Sequence, residues 1–207
     1  MRVKFYREHK YVSAALNSLE RLIAKTDFRK DAEVEVARSE WVDLSAMLHG
    51  HAHYEEERLH PLLERKGSTV HRHAHHQHEE MDATFPRIDA LFEAVMREED
   101  QDTRVEIGDQ LYLTFRKFVG ENLLHLHEEE TKILPELQRL YTDEELRSVE
   151  DATYSVMTCE EMIAMLQVLF PHMNALDKEA FLEDIKFLQP EKFEKIAGDA
   201  PIASILE

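Results

Sequence analysis

Two short stretches of this chain carry the same acid and imidazole groups at the same spacing. They are His51-Ala-His53-Tyr-Glu55-Glu-Glu-Arg-Leu-His-Pro61 and His125-Leu-His127-Glu-Glu129-Glu-Thr-Lys-Ile-Leu-Pro135. Counted back from its proline, each has a histidine ten residues earlier and a glutamate six residues earlier. Residues four apart in a helix differ by only about 40° around the axis, so the imidazole and carboxylate of an HxxxE unit project side by side and can serve one metal site. His51 and Glu55 lie on a stripe with Leu44, Leu48, Leu59 and Leu62, and His125 and Glu129 follow Phe115 and Phe118. Both units therefore face an apolar interior. An ionised carboxylate there is expensive unless a cation or a donor compensates it, so two such units call for positive charge between them.

Histidine is the unusual residue of the composition: there are 13, and His71, His73, His75, His76 and His78 fall within eight positions. Outside the HxxxE units, two histidines sit on apolar stripes, His9 in line with Val12 and Leu16, and His78 in line with Met81, Phe85 and Ile88. Four separate helices then each aim an imidazole inward, two of them with a carboxylate. That is the ligand set expected of di-iron or di-manganese carboxylate sites in helical bundles. His75, three residues before His78, could supply a fifth imidazole. His53 and His127 point about 200° away from the HxxxE face and are expected at the surface, as are His49 and His60, unless helix phase slips near Pro61. The run 71–76 reads as a solvated helix entrance, and of each glutamate triplet only the inward member, Glu55 or Glu129, is assigned a role.

The elements that must position these groups follow from the apolar periodicity. Helix A is predicted at about 4–26, helix B at about 31–66 with Gly67 and Ser68 ending it, helix C at about 72–97 and helix D at about 103–140. Pro86 should kink or restart helix C. Long helices with short connections imply an all-α, up-down-up-down four-helix bundle over residues 1–141. Beyond Tyr141 the texture changes: Thr142 and Glu145 form a capping box that opens a Met-rich helix through about Leu169, with further helices at 177–188 and 190–197, the last stopped by Gly198. Residues 142–207 are thus a helical C-terminal extension, packed on the bundle or forming an interface, in which Met157, Met162 and Met165 fill a core. Nothing in the spacing requires Trp41, Tyr54 or Tyr112 near the centre.

Composition narrows the partners. With 25 Lys and Arg against 43 Asp and Glu the formal charge is −18, which disfavours nucleic acid and anionic membrane. Five glycines and six prolines in 207 residues argue against a fold of short strands. The one cysteine, Cys159, excludes an intramolecular disulfide and a cysteine-based metal cage, and fits a reducing cytoplasm. The amino terminus does not read as a signal peptide, and no run of about 18 apolar residues occurs, so a soluble cytoplasmic protein is expected.

A histidine early in helix A, HxxxEE followed by an apolar pair and proline in helix B, a histidine in helix C and a second HxxxE ending in proline in helix D resemble the hemerythrin-like (HHE cation-binding) family over about residues 4–138. The resemblance implies two non-haem iron ions, with His9, His51, His78 and His125 as terminal nitrogen ligands and Glu55 and Glu129 as bridging carboxylates. Manganese or zinc also suits such donors, behind iron. Two departures stand out. The oxygen-carrying hemerythrins resemble HxxxH in helix C, where this chain has Ala74 and His78; their helix D pairs a histidine with an aspartate five residues on, where this chain has His125 and Glu129. Fewer imidazoles leave more coordination positions open, implying a more reactive centre than a reversible oxygen carrier.

Three functions fit that resemblance. The first is binding of, or reaction with, oxygen, peroxide or nitric oxide in sensing or stress response. The second is an iron-responsive regulatory module, with 142–207 reporting metal occupancy to a protein partner or a second copy. The third is a di-iron oxidase or an iron–nitrosyl repair enzyme. It ranks behind the others because hemerythrin-like repair proteins often carry a cysteine-bearing amino-terminal domain, and this chain opens on helix A.

Overall fold

The computed structural model describes residues 2–197, and among them there are helices and turns but no strand. A 3-10 turn at Tyr6–Glu8 leads into α1 (His9–Ile23), followed by α2 (Asp31–Tyr54), α3 (His60–Arg65), α4 (Arg72–Asp82), α5 (Phe85–Arg97), α6 (Gln101–Glu128) and α7 (Leu134–Leu140). Then come α8 (Asp143–Val156), α9 (Cys159–Leu169), α10 (Ala175–Leu188) and α11 (Pro190–Ala197). The chain divides into two compact units, one spanning Val12–Ile133 and the other combining residues up to Tyr11 with those from Leu134 onward. No described helix is long and apolar enough to cross a membrane.

The first unit is a helical bundle whose core is the set of apolar stripes read from the sequence. Val12, Leu16, Leu19 and Ile23 of α1 join Trp41, Leu44 and Leu48 of α2, Phe85, Ile88 and Phe92 of α5, and Leu111, Phe115 and Phe118 of α6. Each fully buried Leu, Ile or Phe contributes about 1.5–3 kcal/mol, so this layer supplies the main drive to fold. Trp41 organises its middle: the indole stacks on Phe85 at 5.4 Å, meets Phe115 and Phe118 edge-on, and donates its N–H to Asp89 at 2.7 Å. α5 packs on α2 and α6, and α4 packs on α6.

Helix C restarts rather than bends. α4 ends at Asp82, and α5 begins with Pro86 in its first turn, where a missing N–H costs nothing. Gly67, at φ 73°, closes α3 in a Schellman motif: the Ser68 N–H reaches the Leu63 carbonyl and the Gly67 N–H that of Glu64.

Helices B and D each contain a break in helical pitch. α2 passes into a π-helical turn at Glu55–Leu59 before α3, and α6 into one at Glu129–Ile133 before α7. Both turns begin at the glutamate of an HxxxE unit and precede a proline, Pro61 or Pro135. A proline donates no hydrogen bond and its ring crowds the carbonyl four residues back, and the wider turn relieves that conflict. The extra residue advances the phase by about 100°. His60 consequently turns inward and is only 4% exposed, which corrects the expectation that it lies at the surface.

The second unit has its own core of Tyr154, Met162, Leu166, Phe170, Phe181 and Ile185, against which Met157 and Met165 pack as filler. Its helices start on side-chain caps: the Thr142–Glu145 and Thr158–Glu161 capping boxes, and Asn174 ahead of α10. The second box divides the single helix expected through Leu169 into α8 and α9. The amino-terminal residues join this unit through polar contacts, with the buried Asp184 accepting from Arg7 and Arg147, each at 2.8 Å. The expected stop at Gly198 lies outside the described residues.

One close approach in the bundle is directly testable. A β-carbon on Gly108 of α6 would lie 2.2 Å from the Phe28 ring. Gly108→Ala is expected to destabilise the protein by about 1–3 kcal/mol despite its better helix propensity, because Phe28 must leave its site. Thermal denaturation checks this; a melting temperature equal to or above wild type would show that Phe28 moves without cost.

Candidate metal centre

α2 presents His51 one turn before Glu55, and α6 presents His125 one turn before Glu129, as the shared spacing requires. The resulting separations are 3.4 Å from His51 Nε2 to Glu55 Oε1 and 3.3 Å from His125 Nε2 to Glu129 Oε1. α4 adds His78, whose Nε2 stands 3.3 Å from Glu55 Oε2 and 2.9 Å from His125 Nε2. Glu55, His78, His125 and Glu129 are all buried, both carboxylates completely, and offer ligand atoms within 4.8 Å of one another.

Groups outside the cluster fix which imidazole nitrogens face it. His78 Nδ1 donates to Glu56 at 3.0 Å, and His125 Nδ1 donates to the Gln77 side-chain oxygen at 2.9 Å. A neutral imidazole carries one proton, so each ring shows a bare Nε2 lone pair to the interior. Two carboxylates and two imidazole nitrogens thus converge on one buried point. Such an arrangement is stabilised by cations and by little else. Burial pulls the His78 pKa down, but Glu55 and Glu56 push it up further, so the net shift is upward. In a cation's absence a proton is the natural substitute. The donor set fits a pair of nitrogen- and oxygen-ligated metal ions.

His9 opens α1, is 1% exposed and has its ring stacked on Tyr6 at 4.5 Å. The fifth imidazole allowed by spacing is not brought in: His75 is more than half exposed and its Nδ1 binds Glu56 at 2.9 Å. His53 and His127 are exposed, and His49 is an exposed ring stacked on Phe85. The solvated reading of the 71–76 run holds for His73, His75 and His76 but not for His71, which is buried at the amino end of α4.

Sequence reasoning missed two supporting residues. Glu56 was grouped with solvated charge, yet it accepts from both His78 and His75; Gln77 carried no signal beyond its position next to His78. His60 was likewise missed, and burial holds it neutral by pushing its pKa down to about 4 against the opposing influence of Glu55.

A small cavity of about 20 Å³ borders the cluster, and His51, His78 and His125 line it together with Leu48, Phe85 and Leu126.

Comparison with known proteins yields one result. The family model described as the hemerythrin HHE cation binding domain matches residues 2–137. No curated protein and no solved structure matches the chain. A match over that span, with the histidines and glutamates arranged around one buried point, establishes that the chain belongs to the hemerythrin HHE cation-binding family.

Proposed function

We propose that the centre holds two iron ions bridged by Glu55 and Glu129, with His9, His51, His78 and His125 as nitrogen ligands, and that the protein binds or reacts with oxygen, peroxide or nitric oxide in sensing or stress response. His9 is included because it precedes Val12 and Leu16 on the apolar stripe of α1 and falls within the family match. A single cysteine agrees with the reducing cytoplasm in which such a centre would work. When bound, the metal pair supplies an open coordination position and the electrons that a small ligand takes up.

The observation that carries the choice of ligand is the size of the cavity. About 20 Å³ exceeds the roughly 10–15 Å³ that one water needs by little, which suits a diatomic molecule or peroxide. The chain's own residues then do three things. Glu56 and Gln77 hold the His78 and His125 rings so that Nε2 faces inward. Leu48, Phe85 and Leu126 keep the cavity apolar. Asn122, also on the cavity wall, donates its amide N–H to the Phe118 carbonyl at 2.8 Å and so holds a fixed orientation.

A second reading, an iron-responsive module, is favoured by the acceptor-only interior, because ions that relieve such repulsion add their binding energy to folding. The two readings are compatible and separable.

Protein reduced anaerobically with ferrous iron is expected to hold two irons per chain and to develop an oxo-to-iron absorption band in air. Glu129→Gln should lose at least half of the iron. One zinc per chain in place of iron, with no such band, would force a different account. Ala52→Leu, which extends a side chain lining the cavity, should retain iron but slow ligand uptake at least tenfold in stopped-flow mixing. Removing iron with a chelator should lower the melting temperature by several degrees, and an unchanged value would count against the iron-responsive reading.

A further inference from the structure

We propose that His60, Glu64 and His71 form a second divalent-cation site, opening on solvent and distinct from the buried pair. His60 and Glu64 are themselves an HxxxE unit, on α3, so their side chains share one face. The π turn rotates His60 inward toward His71 at the amino end of α4 and leaves Glu64 at the rim. Both imidazoles are at least nine-tenths buried; His60 Nε2 has no hydrogen-bond partner among the described residues, and His71 turns its Nε2 to Glu64. A buried nitrogen without a partner is costly, and a bound ion would relieve that cost.

The separation of the two rings suits one shared ion, and Glu64 completes the set by a rotation of its side chain. The two ring centroids lie 5.2 Å apart. A tetrahedral ion bonded to two imidazoles at about 2.1 Å places their centroids about 5 Å apart. His71 Nε2 is 3.3 Å from Glu64 Oε1, long for a hydrogen bond and close to the roughly 3.0–3.4 Å between neighbouring ligand atoms on one ion. Glu64 is 66% exposed, so its carboxylate can swing toward His60 without disturbing the fold.

The three groups line a cleft of about 320 Å³ shared with Glu56, Glu57, His75 and Arg72, in which three carboxylates outnumber the one guanidinium and favour a cation. Two imidazoles, one carboxylate and water from the cleft suit zinc or ferrous iron. The His60 ring lies 5.9 Å from that of His78, so the site adjoins the buried centre without sharing its ligands.

Cobaltous ion is a suitable probe, since its visible bands report ligand number and geometry. Iron-loaded full-length protein is expected to bind one further cobalt per chain with four- or five-coordinate bands. Glu64→Gln, at an exposed position, should weaken that binding at least tenfold while iron content and melting temperature stay at wild-type values; His71→Gln should abolish it. In a His51→Ala background, which impairs the buried pair, the cobalt lost on adding Glu64→Gln must still amount to one per chain, so failure of the di-iron reading and failure of this site give different results. Wild-type cobalt binding by folded Glu64→Gln and His71→Gln, or no cobalt bound beyond the buried pair, overturns the proposal.

Discussion

The bundle is organised around a concentration of acceptors. Glu55 and Glu129 are fully buried, and the neighbouring His78 and His125 turn their Nε2 atoms toward them because their outer nitrogens are committed to Glu56 and Gln77. Apolar packing cannot explain such a cluster. Replacing it by hydrophobic side chains of similar volume would often be neutral or stabilising, whereas leaving the charges without a counterion costs several kcal/mol. The apolar core of Trp41, Phe115 and Phe118 folds the helices, and the acceptor cluster imposes on that fold a requirement for cations.

The π turns are how the two long helices meet this requirement. An HxxxE unit in an uninterrupted helix would place imidazole and carboxylate on one face and then continue in the same phase. Here the wide turn starts at each glutamate, immediately after the histidine has been placed, and the helix resumes rotated by about 100°. Leu59, Leu63 and Ile133 are then fully buried. The same rotation draws in His60, so one backbone irregularity both closes the centre and creates its neighbouring cleft.

The sequence carried much of this. The stripes of α1, α2, α5 and α6 match the observed core, because burial repeats every three or four residues wherever a helix is regular. His51, Glu55, His78, His125 and Glu129 could be singled out for the same reason, as polar residues interrupting those stripes. What was not legible depends on departures from regular pitch or on contacts between distant residues. His60 falls on the wrong side if a constant 100° step is carried through Pro61. The supporting bonds of Glu56 and Gln77 join different helices, and no local spacing encodes them. The attachment of Arg7 to Asp184 spans most of the chain, which periodicity cannot detect. The Thr158–Glu161 box, by contrast, was present as Thr-x-x-Glu and was passed over within a long apolar helix.

α4 shows how far the centre supports the fold in return. Of its residues only Ala74 and His78 are buried, so hydrophobic burial alone binds it weakly. Its polar side chains provide the rest: His75 and His78 reach Glu56 beyond α2, while His73 reaches Glu128 and Gln77 reaches His125 on α6. Each such bond contributes about 0.5–3 kcal/mol, and several of them end on a ligand or beside one. An ion that fixes His78 and His125 therefore also fixes the partners through which α4 is held. Low apolar burial combined with dependence on a few polar anchors is the condition for local opening, so α4 is the element whose order should follow metal occupancy most closely.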